Sequence, residues 1–159
     1  MITGLLAGTF DLFHVGHLDT IKRMKERCDN LIVAIYGDDD VLKRKGHLPI
    51  VPQEQRMEIL KSIRYVDDVC LINMIYLEDG TEADWYGTFQ YCYEHISRYD
   101  LLFAESDYFE SESALKLSEY LKGHGSEIVF FTYTKGISST EIRKRCVKSF
   151  GENSDIFLK

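Results

Sequence analysis

Two histidines three residues apart, placed just behind a glycine turn, are the first point in this chain where chemistry could gather. They close the run Gly8-Thr9-Phe10-Asp11-Leu12-Phe13-His14-Val15-Gly16-His17. Gly8 lets the backbone turn sharply and brings the main chain close to a ligand. Thr9 offers a hydroxyl and an amide, and Gly16 clears space where a helix can start. A helix N-terminus presents free amides and the positive end of its dipole to an anion. With a first turn near Gly16, both imidazoles face that anion. The same residues admit two other readings: a plain glycine turn with incidental histidines, and a metal site using Asp11, His14 and His17. No further cluster of Cys, His or carboxylates is visible to complete a metal's ligand set.

A second anion cradle is legible near the other end, at Gly136-Ile137-Ser138-Ser139-Thr140. A glycine and three hydroxyls precede a helix, and Ser138 and Glu141 have capping-box spacing. Taken alone this is an ordinary capped helix start. Between the two motifs, Lys43, Arg44, Lys45 and His47 form a basic run expected in a mobile loop, where such clusters are usually solvated.

The elements that must position these groups follow from periodicity. Apolar runs of strand length occur at 2–7, 31–36, 69–72, 101–104 and 128–132. Leu18, Ile21 and Met24 recur at helical spacing over 17–27, and Met57, Leu60 and Ile63 share a face after Pro52. Residues 83–97 read as an aromatic-rich helix, and Ala114, Leu115, Leu117 and Leu121 as a helix ending at Gly123. Five strands alternating with helices predict an α/β, Rossmann-like, open parallel five-stranded sheet with helices on both faces. Ligands in such sheets bind beyond the carboxyl ends of the strands, so the loops after the first, fourth and fifth strands are where the site is expected.

The ten residues 8–17 resemble the signature of the H-x-G-H nucleotidyltransferases, in wording closest to the cytidylyltransferases and, among them, to glycerol-3-phosphate cytidylyltransferase. The run 136–140 resembles that family's G-I-S-[ST]-T motif, which holds the triphosphate opposite the histidines. The resemblance implies that His14 and His17 stabilise charge on the α-phosphate and the leaving pyrophosphate. Such a transfer needs prepositioned donors rather than a protein nucleophile. It implies a nucleotide held by Gly8, Thr9, Phe10, Asp11, Gly16, Asp107, Lys135, Gly136, Ile137, Ser138, Ser139 and Thr140. Lys45-Gly46, with Arg56 eleven residues after the lysine, resembles the family's K-G…R arrangement. That makes Lys45 the third catalytic residue, bridging two anions, and assigns Lys45, Arg56 and Trp85 to the acceptor. Ile63-Arg64-Tyr65-Val66-Asp67-Asp68-Val69 resembles a segment near the family's dimer contact and implies a homodimer. From its residues alone, an Arg64–Asp67 ion pair is expected there.

The chain departs from the family pattern in three places. Tyr133 stands where an arginine is usual, Glu105-Ser106 differ after the fourth strand, and residues 86–93 hold no lysine to grip an acceptor phosphate. Lys135, Arg143 or Arg145 could replace the missing charge, Lys135 only as a point charge. The aromatics Trp85, Tyr86, Phe89, Tyr91 and Tyr93 read as packing. An alternative is an aromatic wall for a quaternary ammonium, with Glu82 and Asp84 beside it.

Composition sets the outer bounds. At 159 residues, 45% hydrophobic and 28% charged, one nucleotidyltransferase domain is expected over 1–148, with a tail over 149–159. A net charge of −7 argues against nucleic acid or an anionic membrane as partner. Four cysteines without metal or redox spacing, and no leader-like N-terminus, predict reduced thiols and a cytoplasmic location. The resulting expectation is transfer of CMP from CTP to a small phosphorylated alcohol. Glycerol-3-phosphate leads, then phosphoethanolamine or phosphocholine, with Mg²⁺ held by the triphosphate. The alternatives are ATP-dependent adenylyl transfer and a degenerate nucleotide-binding protein without turnover.

Overall fold

Alternation at period two decides the two faces of the sheet. In β2 (Asn30–Tyr36), Leu31, Val33 and Ile35 enter one core cluster while Ile32, Ala34 and Tyr36 enter the other. In β1 (Thr3–Gly8), Leu5 and Leu6 split the same way, and Leu102 and Phe103 do so in β4 (Leu101–Glu105). The computed structural model describes residues 1–78, 80, 82–105, 112–132 and 134–150. With β3 (Asp68–Ile72) and β5 (Glu127–Phe131), the strands form one all-parallel sheet in the order β3-β2-β1-β4-β5. The switch point lies between β1 and β4, where the chain changes its direction of winding.

Helices cover both faces, as expected. Ile21 and Met24 of α1 (Val15–Lys25) and Leu60 of α3 (Gln53–Lys61) fill one cluster. Val41 of α2 (Asp38–Lys45), Phe89 of α4 (Trp85–Tyr91), and Leu117 and Leu121 of α5 (Glu112–Gly123) fill the other. Helix α4 continues through a π-helical turn over Cys92–Ile96, so the expected 83–97 helix is a shorter α-helix with a widened end. Helix α6 (Ser139–Phe150) closes the described chain and runs two residues past the expected domain limit of 148.

The basic run is not a loop. Lys43, Arg44 and Lys45 form the last turn of α2, whose first turn carries Asp38, Asp39 and Asp40. Opposite charges at opposite ends complement the helix dipole. Gly46 then ends the helix in the left-handed region, at φ 74°. The local Arg64–Asp67 pair is replaced as well: Asp67 accepts from Lys25 Nζ and from the Leu31 amide, each at 2.6 Å. The loop thereby ties α1 to the start of β2.

Cys28, Cys70, Cys92 and Cys146 are free thiols. Burial pushes the Cys70 thiol up to about 11 and the Cys92 thiol up to about 12, so both stay protonated packing groups. Among the described residues, no helix is long and apolar enough to cross a membrane.

Gly4 marks the tightest approach within the sheet layer. A Cβ there would lie 2.5 Å from the Phe103 ring and 3.0 Å from Cys28 Sγ. Gly4→Ala is expected to cost about 1–3 kcal/mol through overpacking. A urea-unfolding midpoint unchanged from wild type would contradict that contact.

Candidate active site

Both histidines serve the helix before they can serve a ligand. His14 caps α1, its Nδ1 accepting from the Gly16 amide at 3.1 Å. His17 Nδ1 accepts from the His14 amide at 3.4 Å. Each ring therefore spends Nδ1 as an acceptor, which assigns the proton to Nε2 and leaves that N–H as the donor. The rings stack at 3.8 Å between centroids and 19° between planes. Burial holds the His14 pKa below its usual range. Burial, and then the neighbouring His14, pushes His17 down to about 4. Two stacked neutral imidazoles are donors near pH 7, not cations.

The loop leading into them is bent by non-glycine residues. Phe10 and Leu12 have φ of 53° and 48°, in the left-handed region that costs ordinary side chains strain. Gly16 is required by close approach, since a Cβ there would meet the His14 ring at 3.0 Å and Ile137 at 3.1 Å.

Asp11 is 3% exposed and does not present itself as a nucleotide ligand. Its carboxylate accepts from the amides of Leu12, Ile50 and Val51 at 3.0, 3.0 and 2.9 Å and pairs with Arg143 of α6. Burial alone would raise its pKa; the Val51 and Ile50 amides and the Arg143 charge outweigh burial and leave it lowered. Ser139 Oγ donates to the Asp11 carbonyl oxygen, so α6 is fastened to the first loop twice.

The two sequence motifs consequently share one cavity of about 430 Å³. Thr9, Phe10, Asp11, His14, Gly16 and His17 line it from one side, and Ile137, Ser138, Ser139 and Thr140 from the other. Lys45, His47, Glu105 and Arg143 complete the wall. Lys135 and Gly136, expected to hold nucleotide, do not line it. Asp107, Ser106 and Tyr133 lie outside the described residues. Lys45 Nζ stands 3.3 Å from Thr9 Oγ1. Partial burial, with Arg44 and Arg143 nearby, lowers its pKa, while Asp11 and Glu105 oppose that shift.

A second cavity of about 210 Å³ adjoins the first across Thr9, Lys45 and Glu105, which line both. Trp85, expected at the acceptor, lines it beside Gly8, Tyr36 and Phe89. Arg44, absent from the expected site, lines it too. Arg44 Nε is buried without a hydrogen-bond partner among the described residues, a state that costs about 1–3 kcal/mol. The other aromatics divide: Tyr93 is core, while Tyr91 is 50% exposed.

Arg56, expected at the acceptor, lines neither cavity. Its side chain is fully buried and donates to the carbonyl oxygens of Thr9, Tyr36 and Val51 and to Asp38. It holds the ends of β1 and β2 from behind. A buried guanidinium with four acceptors is bracing, because any one left unpaired would be costly. A lone arginine in the sequence carries no signal of which side it faces.

Among the described residues, no three Cys, His, Asp or Glu side chains gather as a metal-binding set. The groups that do gather are imidazoles, hydroxyls, helix N-terminal amides and the cations Lys45 and Arg143. Such an arrangement can hold a polyphosphate and stabilise charge that builds on it.

Comparisons with known proteins agree with that chemistry. The family model described as cytidylyltransferase-like matches residues 5–145. The chain is 33% identical over 156 residues to FAD synthase from Thermococcus kodakarensis, covering 93% of each protein. It is 51% identical over 67 residues to FAD synthase from Pyrococcus abyssi. That match covers 42% of this chain and 45% of the relative, under half of its length. Among solved structures, the lipopolysaccharide core biosynthesis protein from Thermoplasma volcanium matches with a TM-score of 0.59 at 21% identity, covering 86% of this chain and 99% of that one. Pantothenate synthetase from Thermus thermophilus matches with a TM-score of 0.61 at 14% identity, over 91% and 64% of the two chains. At these identities the structural matches speak for the fold alone.

The depressed His17 pKa makes a pH prediction. The unfolded chain takes this proton near 6.5 and the folded chain near 4. Between those values the unfolded state binds more protons, so stability falls as pH drops through the window, by about 3 kcal/mol in total. Urea melts from pH 7 to 4 should show that loss, and His17→Gln should shrink it. A His17 NMR titration midpoint near 6.5 would contradict the buried neutral imidazole.

Proposed function

The chain belongs to the cytidylyltransferase-like family, and we propose that it is an adenylyltransferase that joins AMP from ATP to the phosphate of FMN. The observation carrying this reading is the full-length likeness to an FAD synthase, 93% of each chain. FAD is FMN linked through a pyrophosphate to AMP, so its synthesis by this chemistry requires an adenylyl donor and a phosphate monoester acceptor. The preference for CTP rests on the pairing of 8–17 with 136–140 and that for glycerol-3-phosphate on overall wording, and both motifs suit phosphates more than a base or an acceptor body.

The step is a single displacement. An oxygen of the FMN phosphate attacks the α-phosphorus of ATP, the bond from that phosphorus to the β-bridging oxygen breaks, and pyrophosphate leaves with the electron pair. No protein nucleophile is needed. The Nε2–H groups of His14 and His17 suit stabilisation of the charge growing on α-phosphate and leaving group. Ser138, Ser139 and Thr140 at the start of α6 suit the β- and γ-phosphates, where amides and the helix dipole favour anions.

Lys45 stands at the junction of the two cavities and suits the role of cation between donor and acceptor phosphates, which otherwise repel. Arg143 lines the larger cavity and suits the charge that the family arginine, absent from this sequence, would supply. Mg²⁺ would be carried by triphosphate oxygens and water, since no three Cys, His, Asp or Glu side chains gather among the described residues to hold it. Its chemistry would be charge neutralisation on the triphosphate.

Pyrophosphate release measured across four nucleoside triphosphates, with FMN and glycerol-3-phosphate as acceptors, tests the reading. Turnover is expected for ATP with FMN, with FAD as the coupled product. Turnover for CTP with glycerol-3-phosphate instead would reinstate cytidylyl transfer, and none with any pair would point to a degenerate binder. His17→Ala is expected to lower kcat by at least about 10²–10³-fold with the fold retained. Lys45→Ala should slow the chemical step and raise KM for the acceptor, and unchanged kinetics would remove Lys45 from the site.

A further inference from the structure

Arg44 sits in surroundings unlike those of a solvated lysine-arginine run. Its guanidinium carbon lies 4.3 Å from the centroid of the Tyr36 ring and 5.3 Å from that of Trp85. Those two rings meet edge-on, with centroids 6.2 Å apart. All three residues line the smaller cavity, which Leu102, Phe103 and Phe130 make apolar. A planar cation stacked on aromatic faces is held rigid and presents a flat surface of its own. Within that surface Nε is a buried donor still lacking an acceptor among the described residues.

The phosphate end of an acceptor has other partners. Lys45 and Thr9 stand where the two cavities meet, while Arg44 lines only the apolar one. A ligand that suits this wall is a flat apolar body bearing an in-plane hydrogen-bond acceptor. A small polyol phosphate has neither feature. A fused aromatic ring with carbonyl groups along its edge has both.

We infer that Arg44 is a specificity-determining residue that recognises the ring of the acceptor: the smaller cavity takes a flat, carbonyl-bearing aromatic ring against the Tyr36–Arg44–Trp85 wall, and Arg44 Nε donates to a ring carbonyl. The identity of that ring as a flavin rests on the proposed function, and the ring class rests on the cavity. Ring and phosphate contributions are separable by ligand. Quenching of flavin fluorescence by the full chain gives dissociation constants for FMN and for riboflavin, which carries the same ring without the phosphate.

Arg44→Met keeps the apolar stem and removes the planar donor. It is expected to weaken both flavins by a similar factor of about ten, in line with one lost hydrogen bond and its stacking. Arg44→Lys restores the charge without Nε and should not restore the affinity. Weakening of FMN alone would assign Arg44 to the phosphate and overturn the inference. Full rescue by lysine, unchanged affinity in both variants, or a wild-type chain that binds neither flavin would overturn it as well. FAD formation is followed separately. Flavin binding that depends on Arg44, without FAD from ATP and FMN, would leave the ring site standing and remove the proposed reaction.

Discussion

The site depends on one buried carboxylate. Asp11 leaves β1 in a strained turn and collects three amides and the Arg143 guanidinium. An isolated buried carboxylate would be costly, so the residues that satisfy it are held wherever it stands. Two of those amides belong to the segment after α2, and the guanidinium belongs to α6. Asp11 thus draws together three stretches of chain that the sheet alone would leave at separate strand ends. The cavity between the histidines and the Ser138–Thr140 cradle is the space left around that junction.

Arg56 performs the complementary task on the other side of the first loop. It takes the carbonyl oxygens at the ends of β1 and β2, so the backbone that carries Thr9 cannot relax away from Lys45. One buried anion and one buried cation therefore bracket the same turn. The left-handed residues Phe10 and Leu12 are tolerated because both ends of their loop are tied. The histidines follow the same construction. Each uses one ring nitrogen to satisfy a backbone amide and keeps the other for a ligand, so the orientation needed for chemistry comes from capping the helix.

Under the proposed function the two cavities divide the work between transfer and recognition. The larger is the more polar and holds ten of the fifteen residues of the two signature motifs. The smaller is more apolar and built from residues scattered over β1, β2, α2, α4, β4, α5 and β5. Lys45 belongs to both, as a residue between a donor and an acceptor should. Most of the signature residues line the first cavity, and under the proposed function acceptor choice falls to the second, which the signatures describe less well. The preference for glycerol-3-phosphate follows the overall wording of the signatures, of which only Gly8 and Thr9 line the smaller cavity.

Much of this protein is determined by its sequence taken alone. Short continuous apolar runs alternating with helices specify five parallel strands, because each strand must bury two faces under helices. Gly8 to His17 and Gly136 to Thr140 specify two anion cradles, because glycine freedom, hydroxyls and helix starts are local properties. What the sequence could not decide is everything that depends on a partner distant along the chain. Lys43 to Lys45 read locally as a loop, whereas the dipole of α2 accommodates both charged turns. Arg56 is assigned to the acceptor by resemblance, whereas inside the fold four hydrogen-bond acceptors surround it. Asp67 reads as the partner of Arg64, three residues away, when its cation is Lys25, forty-two residues away. Arg44 carries no local mark at all, since a guanidinium becomes a ring-binding wall only when Tyr36 and Trp85 are folded beneath it. Local conformational preference is encoded residue by residue, whereas the pairing of buried charges and the lining of a cavity are settled only when the tertiary fold removes water from around them.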